Sequence, residues 1–401
     1  MLSENIKDKS YLMSLLKVSL ISFYVSIPIT IYNFYQINLL SIIYNLFFVP
    51  LVSFIIFPLS LVTIFFSFIE PIYNFLTTIM ENISIFISQI DILKLTFKKI
   101  PLVFYIIYII LIHISLTNKN KKPKIIITLL LVCHTSLMNF NNNVWLKTLD
   151  VGQGDSSILR IKNEIILIDT GGKEIYEEEW SKKVKDTSIV KNITIPFLKS
   201  IGVKKINTLI ITHGDYDHMG EAINLVENFK VEKVIFNCGE FNELELDLIQ
   251  VLDKKKIPYY SCIKELNIDD NKLYFLNNRD YGNENDNSSV IYTELNNHKF
   301  LFMGDAGVEV EEDLIKKYNL QDIDILKVGH HGSKTSSGEE FINEITPKYS
   351  IISVGKNNRY GHPNKEVLDN LKDSKIYRTD QDGSIMFKIK NHKLKIETCK
   401  P

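Results

Sequence analysis

"THGDYDHMGE", residues 212–221, sets two histidines and two aspartates within six positions and follows directly on the apolar run "TLIIT". A short run of aliphatic and β-branched residues reads as a buried strand. A tight loop leaving such a strand cannot send every side chain the same way. The spacing H-x-D-x-D-H places alternating residues on one side and lets the terminal Asp-His pair reach the other. Two metal ions can then sit side by side, with Asp217 and His218 serving one and His213 and Asp215 the other. Imidazole and carboxylate are the usual ligands of Zn, Mn and Fe. The plain alternative is an acidic loop that happens to contain histidines, and the density of ligand-type residues behind an apolar strand weighs against it.

Working outward, "VWLKTLDV", "SSILRI" and "EIILIDT" precede this stretch as short β-rich runs separated by turn signals. "KVIF", "SSVIYTEL", "KFLFMGD", "DILKVGH", "SIISVG" and "SIMFKIK" continue the series after it, with helical stretches at 219–229, 243–255, 308–318, 339–345 and 364–372. The mixture predicts layered α/β architecture. Asp169, His213, Asp305 and His330 all fall at the C-terminal ends of predicted strands, where groups from distant sequence can converge. In "FLFMGDAG", Asp305 is placed to bridge two metals, although a strand-end Asp alone also serves as a turn former or helix cap. In "KVGHHGSKTSS", one histidine reads as a ligand and its neighbour as an outer or substrate contact. In "LDVGQGDSSILRI", Gly152 and Gly154 allow a sharp turn that brings Gln153 and Asp155 inward; an ordinary glycine hairpin is the competing reading.

The first third of the chain differs from the rest. Residues 1–143 carry ten Lys and no Arg against five Asp/Glu, about +5, and the remainder carries 36 basic and 42 acidic residues, about -6. Residues 11–32 hold Lys17 as their single charge, 37–69 hold none, and shorter apolar runs follow at 100–116 and 125–139. Since about 20 apolar residues span the hydrocarbon, the first run predicts one span and the last two predict short spans. Pro50 and Pro58 interrupt 37–69, which predicts a helical hairpin or a broken, partly re-entrant pair. Residues 71–99 mix apolar and polar positions as a helix lying at the interface does. A cleaved signal peptide, with one apolar region of about 7–15 residues, fits poorly.

Lys7 and Lys9 before the first span, and "KNKKPK" between the last two, belong on the cytoplasmic side. The hairpin reading satisfies both and carries everything after residue 140 outside the cell, at the expense of Lys94, Lys98 and Lys99, which then lie outside. Cys133, Cys238, Cys262 and Cys399 show no metal-type spacing; Cys238 and Cys262 are expected as single buried thiols, with pairing as the alternative in an oxidising compartment.

Taken in order, "LDVGQGD", "LIDTGG", "THGDYDH", "NDNSSV", "FMGDAG", "KVGHHGSKTSS", "YGHPN" and "TDQDGSI" resemble the metallo-β-lactamase superfamily in the form carried by ComEC-type DNA-uptake channels. The apolar region, with "INLLSIIYNLFFVPL", is similar to the later part of the same family's competence membrane domain. The resemblance implies an α-helical transmembrane region over 1–140 and an αββα sandwich over 144–401. It departs from the superfamily's H-x-H-x-D-H at Asp215, and Asn287 and Ser288 stand about where a later histidine ligand is usual. Oxygen donors in place of imidazoles shift preference from Zn²⁺ towards Mn²⁺, at one or two ions. Family members usually carry an N-terminal OB-like domain and more spans, so the chain is expected to be the C-terminal portion of that architecture, with a separate chain supplying missing channel helices and other DNA-uptake proteins as partners.

Paired metal ions bind a phosphodiester, generate hydroxide at neutral pH and steady the leaving oxygen. The expected ligands are His213, Asp215, Asp217, His218, Asp305 and His330, with His331 competing for the last place. Asp217 is expected also to orient the attacking water, Lys334 to neutralise transition-state charge unless it is a solvated surface lysine, and His362 to donate to a phosphate or leaving group unless it is a plain loop histidine. Gln153, Asp155, Asp169, Asn287, Ser288, His331 and Ser333 are expected as substrate contacts or supports of the ligands. The acidic charge of the globular part argues against a broad duplex-binding surface and leaves single-stranded DNA as the favoured partner. Three functions follow: hydrolysis of the non-transported DNA strand outside the membrane, a transport component whose globular part is non-catalytic, or a membrane-anchored hydrolase of a small ester or phosphodiester.

Overall fold

The computed structural model describes residues 10–88, 90, 92–118, 122–136, 144–172, 188–390 and 392–400. It divides into a helical unit, residues 1–139 with 196–203, and a globular unit, 140–195 with 204–401.

Two helices of the first unit are long and apolar enough to cross a membrane, Tyr11–Phe34 with 24 residues and Ser41–Phe65 with 25. At 1.5 Å per residue each reaches about 36 Å, against roughly 30 Å of hydrocarbon. The second moves the break expected within 37–69 from the prolines to Phe66. A proline removes one N–H and crowds the preceding turn. Here the helix widens to a π-turn over Val52–Ile56, where the Phe57 N–H donates to Val52 O, and it passes both prolines without ending. The hairpin lies elsewhere. Glu70–Ser88, a 19-residue helix, turns back after Phe66 and packs against Val52–Ile56 and Phe57–Phe65.

A two-stranded antiparallel ribbon then pairs Gln36–Asn38 with Lys94–Thr96. The Leu39 N–H donates to Leu93 O and the Phe97 N–H to Tyr35 O, extending the ribbon at both ends. Helices Leu102–Thr117 and Lys122–Ser136 pack on each other, and the first also meets Tyr11–Phe34. Ile27, Ile31, Ile37, Phe97, Ile112 and Ile127 form the unit's small core. Large apolar side chains such as Phe65 and Phe68, 80% and 77% exposed, face outward, as they do against lipid.

In the globular unit two sheets lie face to face. The first has eight strands in the order Tyr259–Ser261, Val234–Phe236, Thr208–Ile210, Glu164–Ile168, Ser157–Ile161, Val144–Thr148, Ser384–Lys390, Lys393–Cys399. The second has seven, Glu265–Ile268, Asn271–Phe275, Ile291–Leu295, His298–Phe302, Ile325–Lys327, Tyr349–Ile352 and Lys375–Arg378 in chain order. Alternating strands aim their apolar faces between the sheets: Ile385, Phe387 and Ile389 from one meet a cluster holding Leu273, Ile291 and Phe300 from the other. Helices Val308–Lys317, Glu339–Ile345 and Lys365–Asn370 cover the outer face of the second sheet through Val310, Leu314, Phe341 and Val367. Helix Glu243–Lys255 buries Leu248 and Leu252 and crosses between two parallel strands of the first.

That crossover corrects the reading of the cysteines. It returns the chain to a strand in register with Val234–Phe236, so Cys238 and Cys262, just beyond the paired Phe236 and Ser261, lie with Cα atoms 4.4 Å apart and are joined as a disulfide. Cys133 and Cys399 are free and exposed.

Candidate metal centre

Several parallel strands of both sheets end at one edge of the sandwich, and their exits carry the polar residues. Asp169 follows Glu164–Ile168, Thr212 and His213 follow Thr208–Ile210, Asp305 follows His298–Phe302, and His331 follows Ile325–Lys327. Asp169, His213, His218, Asp305 and His331 are all buried. The "GQGD" turn presses against the histidine loop: the Asp155 N–H donates to Asp217 O at 3.0 Å. Gly154, at φ +133°, has no room for a side chain, since a Cβ there would stand 2.3 Å from Asp217 O.

The ligand atoms converge on Asp305. His218 Nε2 lies 3.1 Å from its Oδ1, and His213 Nε2, His331 Nε2 and His330 Nε2 lie 4.0, 3.7 and 3.8 Å from its Oδ2. Asp217 Oδ2 is 3.0 Å from His331 Nε2, and Asp215 Oδ2 is 3.6 Å from His213 Nε2. One ligand atom from each of His213, His218 and Asp305 falls within 4.8 Å of the others, as does one from each of Asp155, His218 and His331. His213 Nε2, His218 Nε2 and Asp305 Oδ1 are buried and make no hydrogen bond. Their outer partners explain why a cation fits there. His218 Nδ1–H donates to Asp169 Oδ2 at 2.9 Å and His331 Nδ1–H to Ser353 O at 3.0 Å. Both Nε2 atoms are thereby turned towards carboxylate oxygens, and in the neutral imidazoles their lone pairs and those oxygens are all acceptors, which either a proton on Nε2 or a divalent ion reconciles.

Electrostatics agree. Burial alone would depress His218, but Asp305 and Asp169 outweigh it and hold its pKa well above the ordinary imidazole value. Burial would likewise raise Asp305, yet His218 and His331 hold it well below the carboxylate range. Asp217 is carried down to about 2, against the effect of burial, by His331 and His218.

The remaining expected residues divide. Asp169 supports the site twice over, accepting from the Thr212 N–H at 2.8 Å as well as from His218. Ser288 Oγ lies 3.2 Å from His213 Nδ1 and accepts from the Asp305 N–H at 3.0 Å. Asp155 is buried against Lys327, with Nζ 2.6 Å from Oδ2, and lies 3.6 Å from His331 Nδ1. Gln153 lines the cleft and accepts from the Gly355 N–H at 3.2 Å. His362 lines it too, its pKa lowered by burial and then by His331 and His330. Three do not reach the cluster. Asn287 is spent on its own loop, accepting from the Tyr281 N–H and donating to Asp280. Ser333 bonds to Thr335 across one residue, and Lys334 is exposed and does not line the cleft.

The cleft over the cluster has a volume of ≈ 990 Å³. Lys356, Arg359 and Tyr360 on its wall, and Lys327 beneath it, escape a reading by spacing. The first three follow the strand "SIISVG", and the same strand-end argument that finds His330 would have found their loop.

A model of the metallo-β-lactamase superfamily matches residues 149–356, and a model of the competence protein family matches residues 1–122. The chain therefore belongs to the metallo-β-lactamase superfamily and joins that domain to a competence-protein region, the combination found in ComEC-type proteins. ComE operon protein 3 of Bacillus subtilis is 31% identical over 96% of this chain and 53% of its own length. Competence protein ComA of Neisseria gonorrhoeae is 28% identical over 59% of this chain and 31% of its own. Recombination protein 2 of Haemophilus influenzae is 26% identical over 68% and 32%. The chain thus spans about half the length of the first relative and about a third of the others.

Proposed function

We propose that the chain is a multi-pass membrane component of DNA uptake in natural transformation, whose outward-facing globular unit (144–401) hydrolyses phosphodiester bonds of the strand that is not transported. The observation that carries the hydrolytic reading is the convergence of unpartnered buried donors, His213 Nε2, His218 Nε2 and Asp305 Oδ1, at the floor of an open cleft. A divalent ion held there supplies charge neutralisation for a phosphodiester and a water acidic enough to attack at neutral pH. His213, Asp215, Asp217, His218, Asp305 and His331 would hold it. In this reading His331, fixed by Ser353 O and facing Asp217, takes the place that spacing gives to His330, which is 25% exposed and bonded to Thr335. Asp169 fixes the His218 ring, and His362 stands at the wall as a donor to substrate oxygen. The balance of carboxylates and imidazoles favours Mn²⁺ over Zn²⁺.

Outward orientation is supported by the ribbon. Pairing of Gln36–Asn38 with Lys94–Thr96 puts both on one side of the membrane, so the intervening chain crosses an even number of times. With Lys7 and Lys9 inside, that side is outside, "KNKKPK" returns inside, and the segment after Ser136 emerges outside. A disulfide at Cys238–Cys262 suits that oxidising side.

The test uses the full chain in detergent with a labelled single strand and Mn²⁺. Cutting that is lost in Asp217→Ala is the expected result. Metal bound without cutting would favour the second reading, a non-catalytic transport module, which Asp215 and Ser288 at positions of usual imidazoles support.

A further inference from the structure

Resting on the reading of the cleft as a DNA site, we infer that the loop 355–363 is a stacking platform which takes an unpaired nucleobase at the mouth of the metal centre. Tyr360 is 62% exposed and lines the cleft. One face of its ring stacks on His362, with centroids 5.8 Å apart and planes 11° from parallel. His362 lies 6.1 Å from His330, which lies 6.4 Å from His331. A file of rings therefore runs from solvent to the ligand cluster, and its outermost step is an exposed aromatic.

The platform is held in place. Asn358 accepts from the His362 N–H at 3.0 Å and donates to His362 O at 2.7 Å, and the Gly355 N–H donates to Gln153. Its charge also differs from its surroundings. Within a unit of about -6, residues 355–363 carry Lys356 and Arg359 and no carboxylate, and both side chains are exposed on the cleft wall. An exposed ring on a loop that also carries two cations matches a base joined to phosphates, and aromatic stacking of this kind accepts any base. A base inside a duplex has its faces covered by its neighbours and cannot lie on Tyr360 without leaving the stack. The platform thereby selects single strands.

The experiment measures, by fluorescence anisotropy with Mn²⁺ and with every variant made in the Asp217→Ala background so that the probe stays uncut, binding of the full chain to a short labelled single strand and to the same strand with every base replaced by an abasic site. Tyr360→Ala is expected to weaken the base-bearing strand roughly tenfold and to leave the abasic strand unchanged. Tyr360→Trp is expected to keep wild-type binding, and Lys356→Ala to weaken both strands alike. If Tyr360→Ala affects both strands equally, or neither, the platform is wrong and the DNA reading stands. If the wild-type chain binds neither strand, both fall.

Discussion

Lys327 shows how much of the centre rests on a residue that holds no metal itself. Its ammonium and the Asp155 carboxylate are 3% and 6% exposed, 2.6 Å apart, beneath His331. Removing one member of such a pair leaves a buried charge uncompensated, at about 3–5 kcal/mol. Lys327→Met is expected to lose about that much stability, and adding Asp155→Asn to restore part of it, measured as thermal midpoints. An unchanged midpoint in the single variant would show that the pair is not a charge lock. His213, Asp217, His218 and Asp305 were legible because ligand-type residues crowd the ends of apolar runs. Lys327 was not: in "DILKVGH" it looks like an ordinary polar residue leaving a strand, and its partner belongs to a distant turn. Asn287 and Ser288 were separated only by which way each side chain turns.

Helix Val308–Lys317 begins three residues after Asp305 and is tied to the loop behind His331 by Glu311, which accepts from the Ser337 and Gly338 N–H groups at 2.5 and 2.8 Å. Burial lifts the Glu311 carboxyl from its ordinary 4.5 to about 7, against those two bonds. An acid with a raised folded pKa binds more protons folded than unfolded between those values, so its contribution to stability is greatest at low pH and falls as pH rises from about 4.5 to about 7. Glu311→Gln, close to the protonated acid in shape and charge, is expected to leave the midpoint nearly unchanged at pH 5 and to shrink the fall between pH 5 and pH 8. A slope as steep as in wild type would assign the pH dependence elsewhere. Elements with clean patterns, such as Ser384–Lys390 with its alternating apolar face, could be read from the sequence. The cysteine pair could not, because it depends on strand neighbours set by a crossover. Nor could the fate of 37–69, where a π-turn accommodates prolines that ordinarily end a helix.

At the level of the whole chain, composition alone separated an apolar third from a polar remainder. The packing of Glu70–Ser88 on Val52–Phe65 was hidden because the helix carries too mixed a pattern to be counted as an arm of a hairpin. Exposed Cys399 offers a direct test of sidedness. In a Cys133→Ser background, a membrane-impermeant maleimide added to intact cells is expected to label the protein; labelling only after lysis would place the globular unit inside. One local feature also bears on how the molecule can change. His330 and His331 sit consecutively in left-handed backbone, at φ 46° and 53°. Non-glycine residues there cost about 1–2 kcal/mol each. Glycine at His330, whose side chain is 25% exposed, would relax the backbone at little cost in packing, so a screen for heat tolerance alone would enrich chains stripped of the ring that links His362 to His331.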